Sequence, residues 1–338
     1  MLILALALLV ACGKNESKNN LKNSISESLS LSQKSLYKSI NSTNSSKNPE
    51  SLNSLSVSES LNSLSLSESI EISIDNSENE KKERVLGVWW WKKSLGDEYL
   101  DFVATRGVNE IYYCSSEFSV NTASFIQKAK EKNIRVYWLG GEYGWAQDST
   151  NLYTKLNKYL AYQQEFPNSQ FSGVHLDIEP HQNPSWKGTD KESPVRVTLI
   201  QELIDVAIKV KTDFPNIEFS FDLPFWLDYE ITYNGEKRLA YEAMIDICDR
   251  VFLMSYRDTA GGIYSVSSEE INYAKSVNKS VFMGIETYST EGDNVSFWEE
   301  GESVMLSEMA LLKSMVDESF GLAVHHAERW YEMANLNS

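Results

Sequence analysis

The segment from Phe171 to His181 reads FSGVHLDIEPH. Side chains alternate along a strand, so His175, Asp177 and Glu179 share one face and Val174, Leu176 and Ile178 take the other. Three ionisable groups on one face of a buried strand are costly unless they are paired. Crowded carboxyl groups raise one another's pKa, and a carboxyl that keeps its proton near neutrality can serve as a general acid. An internal ion-pair or hydrogen-bond network is the other reading of the same pattern.

Other apolar runs also end on chemistry-bearing residues. SFDLPFW carries Asp222 and Trp226. VFLMSYRD carries Tyr256, Arg257 and Asp258. Glu286 ends FMGIE, and His325 and His326 end AVHH. One glutamate after a fourth strand and one after a seventh form the pair used by retaining glycosidases, with carboxyl groups about 5–5.5 Å apart. In that scheme Glu179 is the acid/base and Glu286 the nucleophile. The alternative for Glu286 is an ion pair with Arg257. Sugars stack their C–H faces on aromatic rings, and Trp226 and Trp145 are the preferred platforms. Trp89 and Trp91 share a strand face and read equally well as core. Glu179 and Glu286 are the expected catalytic residues of that scheme, and Asp177 and Tyr256 join them through what the fourth- and sixth-strand strings resemble. His175, His181, Asp222, Trp226, Arg257, Asp258, Trp145 and His325 are expected to contact substrate. His175, His181, Asp177, Glu179 and His325 together offer donors for a metal ion. No His-x-x-x-His or similar chelating pair occurs, so no metal or other cofactor is expected.

The fourth-strand string resembles the signature of family 18 glycoside hydrolases, the chitinases and endo-β-N-acetylglucosaminidases. Their motif is Asp-Gly-x-Asp-x-Asp-x-Glu. Here it stands as Ser172-Gly173-Val174-His175-Leu176-Asp177-Ile178-Glu179. The glycine, the last aspartate and the glutamate match. Ser172 and His175 replace the first two aspartates. The resemblance implies that Glu179 protonates the leaving oxygen and that Asp177 holds the substrate's N-acetyl group, which acts as nucleophile. His175 would support Asp177 by a hydrogen bond, as the middle aspartate does in the family. VFLMSYRD resembles the family's Met-x-Tyr-Asp segment with Arg257 inserted, which implies that Tyr256 reaches the reacting sugar. Ile178-Glu179-Pro180 resembles the Asn-Glu-Pro of the larger barrel clan. HLDIEPH, DLPFW, MSYRD, GIET and VHH also look like a group of bacterial lipoprotein barrels, a likeness that brings no activity with it.

The elements that must position these residues are legible as short apolar runs. They cover residues 85–91, 108–113, 134–139, 173–178, 217–221, 250–254, 280–285 and 321–325. Continuous runs rich in β-branched and aromatic residues suit strands buried on both faces. Amphipathic stretches lie between them. Residues 121–132 begin with a cap-like Asn121. Residues 195–213 carry Leu199, Leu203, Val206, Ile208 and Val210 at helical spacing, and residues 299–318 carry Met305, Met309, Leu312 and Val316. Strand–helix alternation predicts a parallel sheet, and eight units predict a closed (β/α)8 TIM barrel. No glycine-rich loop follows the first strand, which argues against a dinucleotide fold. Residues 182–192 and 227–237 are expected to wall a groove.

The barrel accounts for residues 84–338 of the 338. Residues 1–12 read as a lipoprotein signal peptide. The apolar run Met1 to Ala11 is too short to span a bilayer, and Leu9-Val10-Ala11-Cys12 resembles a lipobox. That implies cleavage before Cys12 and acylation of its sulfur. No Lys or Arg precedes the run, which leaves room for a start further upstream. Residues 13–83 are rich in Ser and Asn, and SLNSLSVSE repeats as SLNSLSLSE. So little apolar area cannot offset chain entropy, and a disordered tether is expected. Such a chain averages roughly 45–50 Å end to end. Three cysteines form no disulfide framework, and Cys114 and Cys248 read as buried thiols. A net charge of −17 argues against nucleic acid as partner.

Together these features point to a lipid-anchored bacterial surface protein that touches the membrane only through its anchor. Its expected partner is an extracellular glycan or glycoprotein. The leading functional reading is a glycoside hydrolase of N-acetylhexosamine-containing glycans. The lost motif aspartates motivate a second, a non-catalytic glycan-binding barrel. A metal-dependent hydrolase or deacetylase is the third.

Overall fold

A computed structural model of the protein describes residues 83–289 and 294–336. The lipobox and nearly all of the tether lie outside the described residues. The strands run in chain order as β1 (Leu86–Trp90), β2 (Glu110–Cys114), β3 (Arg135–Gly140), β4 (Val174–Leu176), β5 (Phe219–Pro224), β6 (Glu230–Tyr233), β7 (Glu236–Leu239), β8 (Arg250–Met254), β9 (Val281–Ile285) and β10 (Gly321–Val324). Eight of them close into a parallel barrel in the order β1-β10-β9-β8-β5-β4-β3-β2. Each predicted run contributes one barrel strand, so the (β/α)8 reading holds. The remaining two strands, β6 and β7, form an antiparallel hairpin.

Eight helices alternate with the barrel strands: α1 (Asp97–Thr105), α2 (Val120–Glu131), α3 (Thr150–Glu165), α4 (Pro194–Asp213), α5 (Ala240–Ile247), α6 (Ala260–Ser276), α7 (Glu302–Met315) and α8 (Ala327–Asn335). The three helices anticipated from spacing are α2, α4 and α7, with shifted ends. Ser119, and not Asn121, stands at the cap position of α2. Helix α4 starts one residue early because Pro194 has its φ preset and needs no N–H partner in the first turn. No described helix is long and apolar enough to cross a membrane.

Alternation along the strands builds two cores. Val88, Trp90, Ile111, Val136, Val174 and Leu176 face outward and pack with the helices. Trp89, Tyr112, Tyr137, Phe252 and Phe282 face inward and fill the barrel. The interior is layered. At the N-terminal end Glu110, fully buried, accepts bonds from Arg250 Nη1 at 2.9 and 2.7 Å, from Tyr112 at 2.8 Å, and from Arg135. Above it, Tyr112 stacks on His175 at 4.2 Å, and Phe252 meets both rings edge-on at 4.8 Å. The acidic residues form the layer above that.

Candidate active site

The C-terminal ends of the strands surround a cleft of about 710 Å³. In this fold that end is where loops of varied sequence gather around a fixed frame. The wall after β3 approaches unusually closely. A Cβ on Gly141 would stand 1.7 Å from the carbonyl oxygen of Asp177, so only glycine lets the two backbones meet. The Asp177 N–H donates to the Gly140 carbonyl at 3.1 Å and closes that contact.

A network of four residues underlies the cleft. Trp89 Nε1 donates both to Asp222 Oδ2 at 3.0 Å and to His175 Nε2 at 3.1 Å. His175 Nε2 lies 2.8 Å from the same Asp222 oxygen, and its Nδ1 lies 2.8 Å from Ser220 Oγ. His175 is fully buried. Burial, then the nearby Arg250 charge, holds its pKa well below the usual imidazole range, so the ring is neutral. Two expectations for His175 are therefore corrected. It does not reach substrate, because it lies a layer below the cleft. The side chain it bonds there is Asp222, not Asp177.

Asp177 and Asp222 are neighbours across β4 and β5. The ladder pairs His175 with Ser220 and Leu176 with Phe221, and the next residues on each strand are these two aspartates. Asp177 Oδ1 is buried without a hydrogen-bond partner. Burial, then the Asp222 charge, pushes the Asp177 carboxyl well above the usual carboxylate range. Burial pushes Asp222 up to about 8, against the opposing Trp89 hydrogen bond. Such a pair retains a proton at neutral pH.

Glu179 stands higher, half-buried in the cleft wall. Burial, then the Asp177 and Asp222 charges, pushes it up to about 8. Gln182 donates to its Oε2, and His181 Nε2 lies 3.6 Å from its Oε1. Glu286 has the opposite character. Burial alone would raise it, but the His325 hydrogen bond, the histidine charges and a backbone N–H hold it below the usual range. Its Oε1 accepts from the Thr287 and Tyr288 N–H groups, both at 2.7 Å, and its Oε2 pairs with His325 Nδ1 at 2.7 Å. Arg257 is not its partner. That guanidinium donates to the Tyr256 carbonyl at 2.6 Å and lies over the Phe225 ring.

Tyr256 lines the cleft and stacks on His325 with ring centroids 5.4 Å apart. Burial, then the Glu286 charge, keeps it a phenol. Trp226 lines the cleft with His181 edge-on to it at 5.1 Å and Trp186 at 5.9 Å. The expected walls are thus joined, since Trp186 also meets Tyr229 at 5.7 Å. Trp145 is buried in the outer core, and neither it nor Asp258 lines the cleft. Both are corrections to the expected set. The donors once grouped for a metal ion do not converge either, because His175 is committed beneath Asp222. Gln182 lines the cleft as part of the expected wall, His326 lines it beside His325, and Phe225 and Glu142 line it without having been singled out. The Gly140-Gly141-Glu142 string at the end of the third run is the one signal that marks this approach.

No protein-family profile and no curated protein matches the chain. Among solved structures it is similar to a chitinase of Chromobacterium violaceum, at 12% identity, over 74% of this chain and 98% of that one, with a TM-score of 0.42. It is similar to a chitinase of Rhizomucor miehei at 10% identity, over 74% and 97%, with a TM-score of 0.45. The spore cortex-lytic enzyme SleL of Bacillus cereus matches at 14% identity, over 74% of each chain, with a TM-score of 0.42. The chain spans 66% of a C-terminal domain assigned as a chitinase in Desulfitobacterium hafniense, just under two thirds.

Proposed function

We propose that the barrel is a glycoside hydrolase acting on extracellular glycans that contain N-acetylhexosamine, with Glu179 as the general acid. The observation that carries this reading is the half-buried Glu179 carboxyl lining the cleft together with Asp177 and Asp222, where burial, then their charges, pushes it up to about 8. At neutral pH it holds a proton that it can deliver to a glycosidic oxygen. As the C1–O bond breaks, charge develops at C1. The substrate's own N-acetyl carbonyl oxygen is the nucleophile in this scheme, in keeping with the likeness of Asp177-Ile178-Glu179 to the family 18 motif. Asp177 offers its unpartnered Oδ1 to the amide N–H and so turns the carbonyl toward C1. Tyr256 supplies a hydroxyl donor for that carbonyl. The Glu179 carboxylate left behind then takes a proton from water, which opens the cyclic intermediate at C1. Trp226 stacks on a sugar face. The lipobox-like Leu9-Val10-Ala11-Cys12 supports placement at the outer surface of the membrane, held by lipid on Cys12.

The test is incubation with N-glycoproteins, chitooligosaccharides and peptidoglycan, read as new reducing ends by mass spectrometry. Glu179→Gln is expected to lower turnover by about 10²- to 10⁴-fold while sugar binding persists. Equal turnover in the variant would remove Glu179 as the acid. Deacetylated chitooligosaccharides are expected to survive, and their cleavage would make Glu286 the nucleophile. Saturable binding with no product from either protein would instead favour a glycan-binding barrel.

A further inference from the structure

We propose that Glu286, His325 and His326 form a binding site for a divalent transition-metal ion at the lip of the cleft, where β9 and β10 end. One donor atom from each of the three lies within 4.8 Å of the other two. Two imidazoles and a carboxylate are the donor set of open zinc sites and of facial-triad sites, which leave positions for water or substrate.

The backbone shows that this grouping is built at a cost. Adjacent residues of a strand point to opposite faces. His325 and His326 lie between the end of β10 and the first turn of α8, so alternation would send His326 out toward the helices only if the strand continued. It does not. His326 has φ 68° and ψ 91°, in the left-handed region that non-glycine residues enter only under strain. That turn brings its ring to 3.9 Å from the His325 ring, and both rings line the cleft beside Trp91. The Nδ1 of His326 is buried with no hydrogen-bond partner, and the Glu328 carboxylate lies 3.6 Å from it.

The carboxylate is equally prepared. Two backbone N–H groups hold Glu286 Oε1 and fix the plane of the group, leaving Oε2 for exchange between His325 and an ion. Outer hydrogen bonds of this kind orient the ligands of metal sites. An ion held there presents its remaining positions to the cleft and to an oxygen of whatever binds in it. The inference goes beyond the glycosidase reading and does not depend on it.

The test uses the full chain, stripped with chelator, dialysed and titrated with Zn²⁺ by calorimetry. Co²⁺ is titrated in parallel and read by visible absorption. One tight Zn²⁺ per chain is expected, with a Co²⁺ spectrum distinct from the aqueous ion. His326→Gly tolerates the left-handed backbone and is expected to melt no lower than the parent. It should nonetheless lose at least ~10-fold in Zn²⁺ affinity, the scale seen when ligand surroundings are altered. His181→Ala should bind as the parent does. Equal Zn²⁺ affinity in parent and His326→Gly, or an unchanged aqueous Co²⁺ spectrum, would overturn the site and leave the trio a hydrogen-bond network.

Discussion

Glu179, Asp177 and Asp222 share one cleft, and burial makes them weak acids. A general acid works only while protonated, so kcat/KM is expected to hold at neutral pH and fall as pH rises through about 8. A pH–rate profile checks this. Stability follows the same linkage. The folded pKa of Glu179 lies above its ordinary 4.5, so its contribution is full below that value and is lost as pH climbs towards about 8. Glu179→Gln should therefore raise the melting temperature relative to the parent at pH 9 and lose that advantage at pH 4, as a pair of thermal melts would show. Asp177 and Glu179 were legible in sequence because strand alternation alone puts them on the inner face. Alternation says nothing of depth, however. His175 shares that face two residues lower, which places it under the floor. It also gives no direction for His326, which lies beyond the end of β10.

The strands were readable because each is a short apolar run covered on both sides, a pattern few other elements produce. The hairpin was not, although Asn234-Gly235 is a strong turn signal. Its arms are four residues each, and only Ile231 is buried in them. The two turn residues have φ of 52° and 81°, as a two-residue hairpin turn requires. The segment was expected only as a groove wall. At this scale the informative change is Gly141→Ala. Its Cβ would meet the Asp177 backbone, so β3 and β4 must part at their ends. A loss of about 1–3 kcal/mol is expected, together with a fall in turnover as Asp177 and Glu179 shift. Gly144→Ala, three residues on and with open space at its Cβ, is the control and should change neither. Chemical denaturation and an activity assay separate the two variants.

Across the whole barrel, polarity is arranged in layers along the axis. The bottom layer holds one buried carboxylate against two guanidinium groups, and Glu110→Gln would leave those cations with less than their charge requires. A destabilisation of about 3–5 kcal/mol is expected from denaturant unfolding, with the cleft chemistry untouched in whatever remains folded. Above that plug the rings of Tyr112, His175 and Phe252 pack against one another across the barrel interior. That packing floors the cleft. On the glycosidase reading, a product fragment still held above that floor excludes the next chain. Product inhibition competitive with substrate is then expected, and initial rates measured with added product would show it.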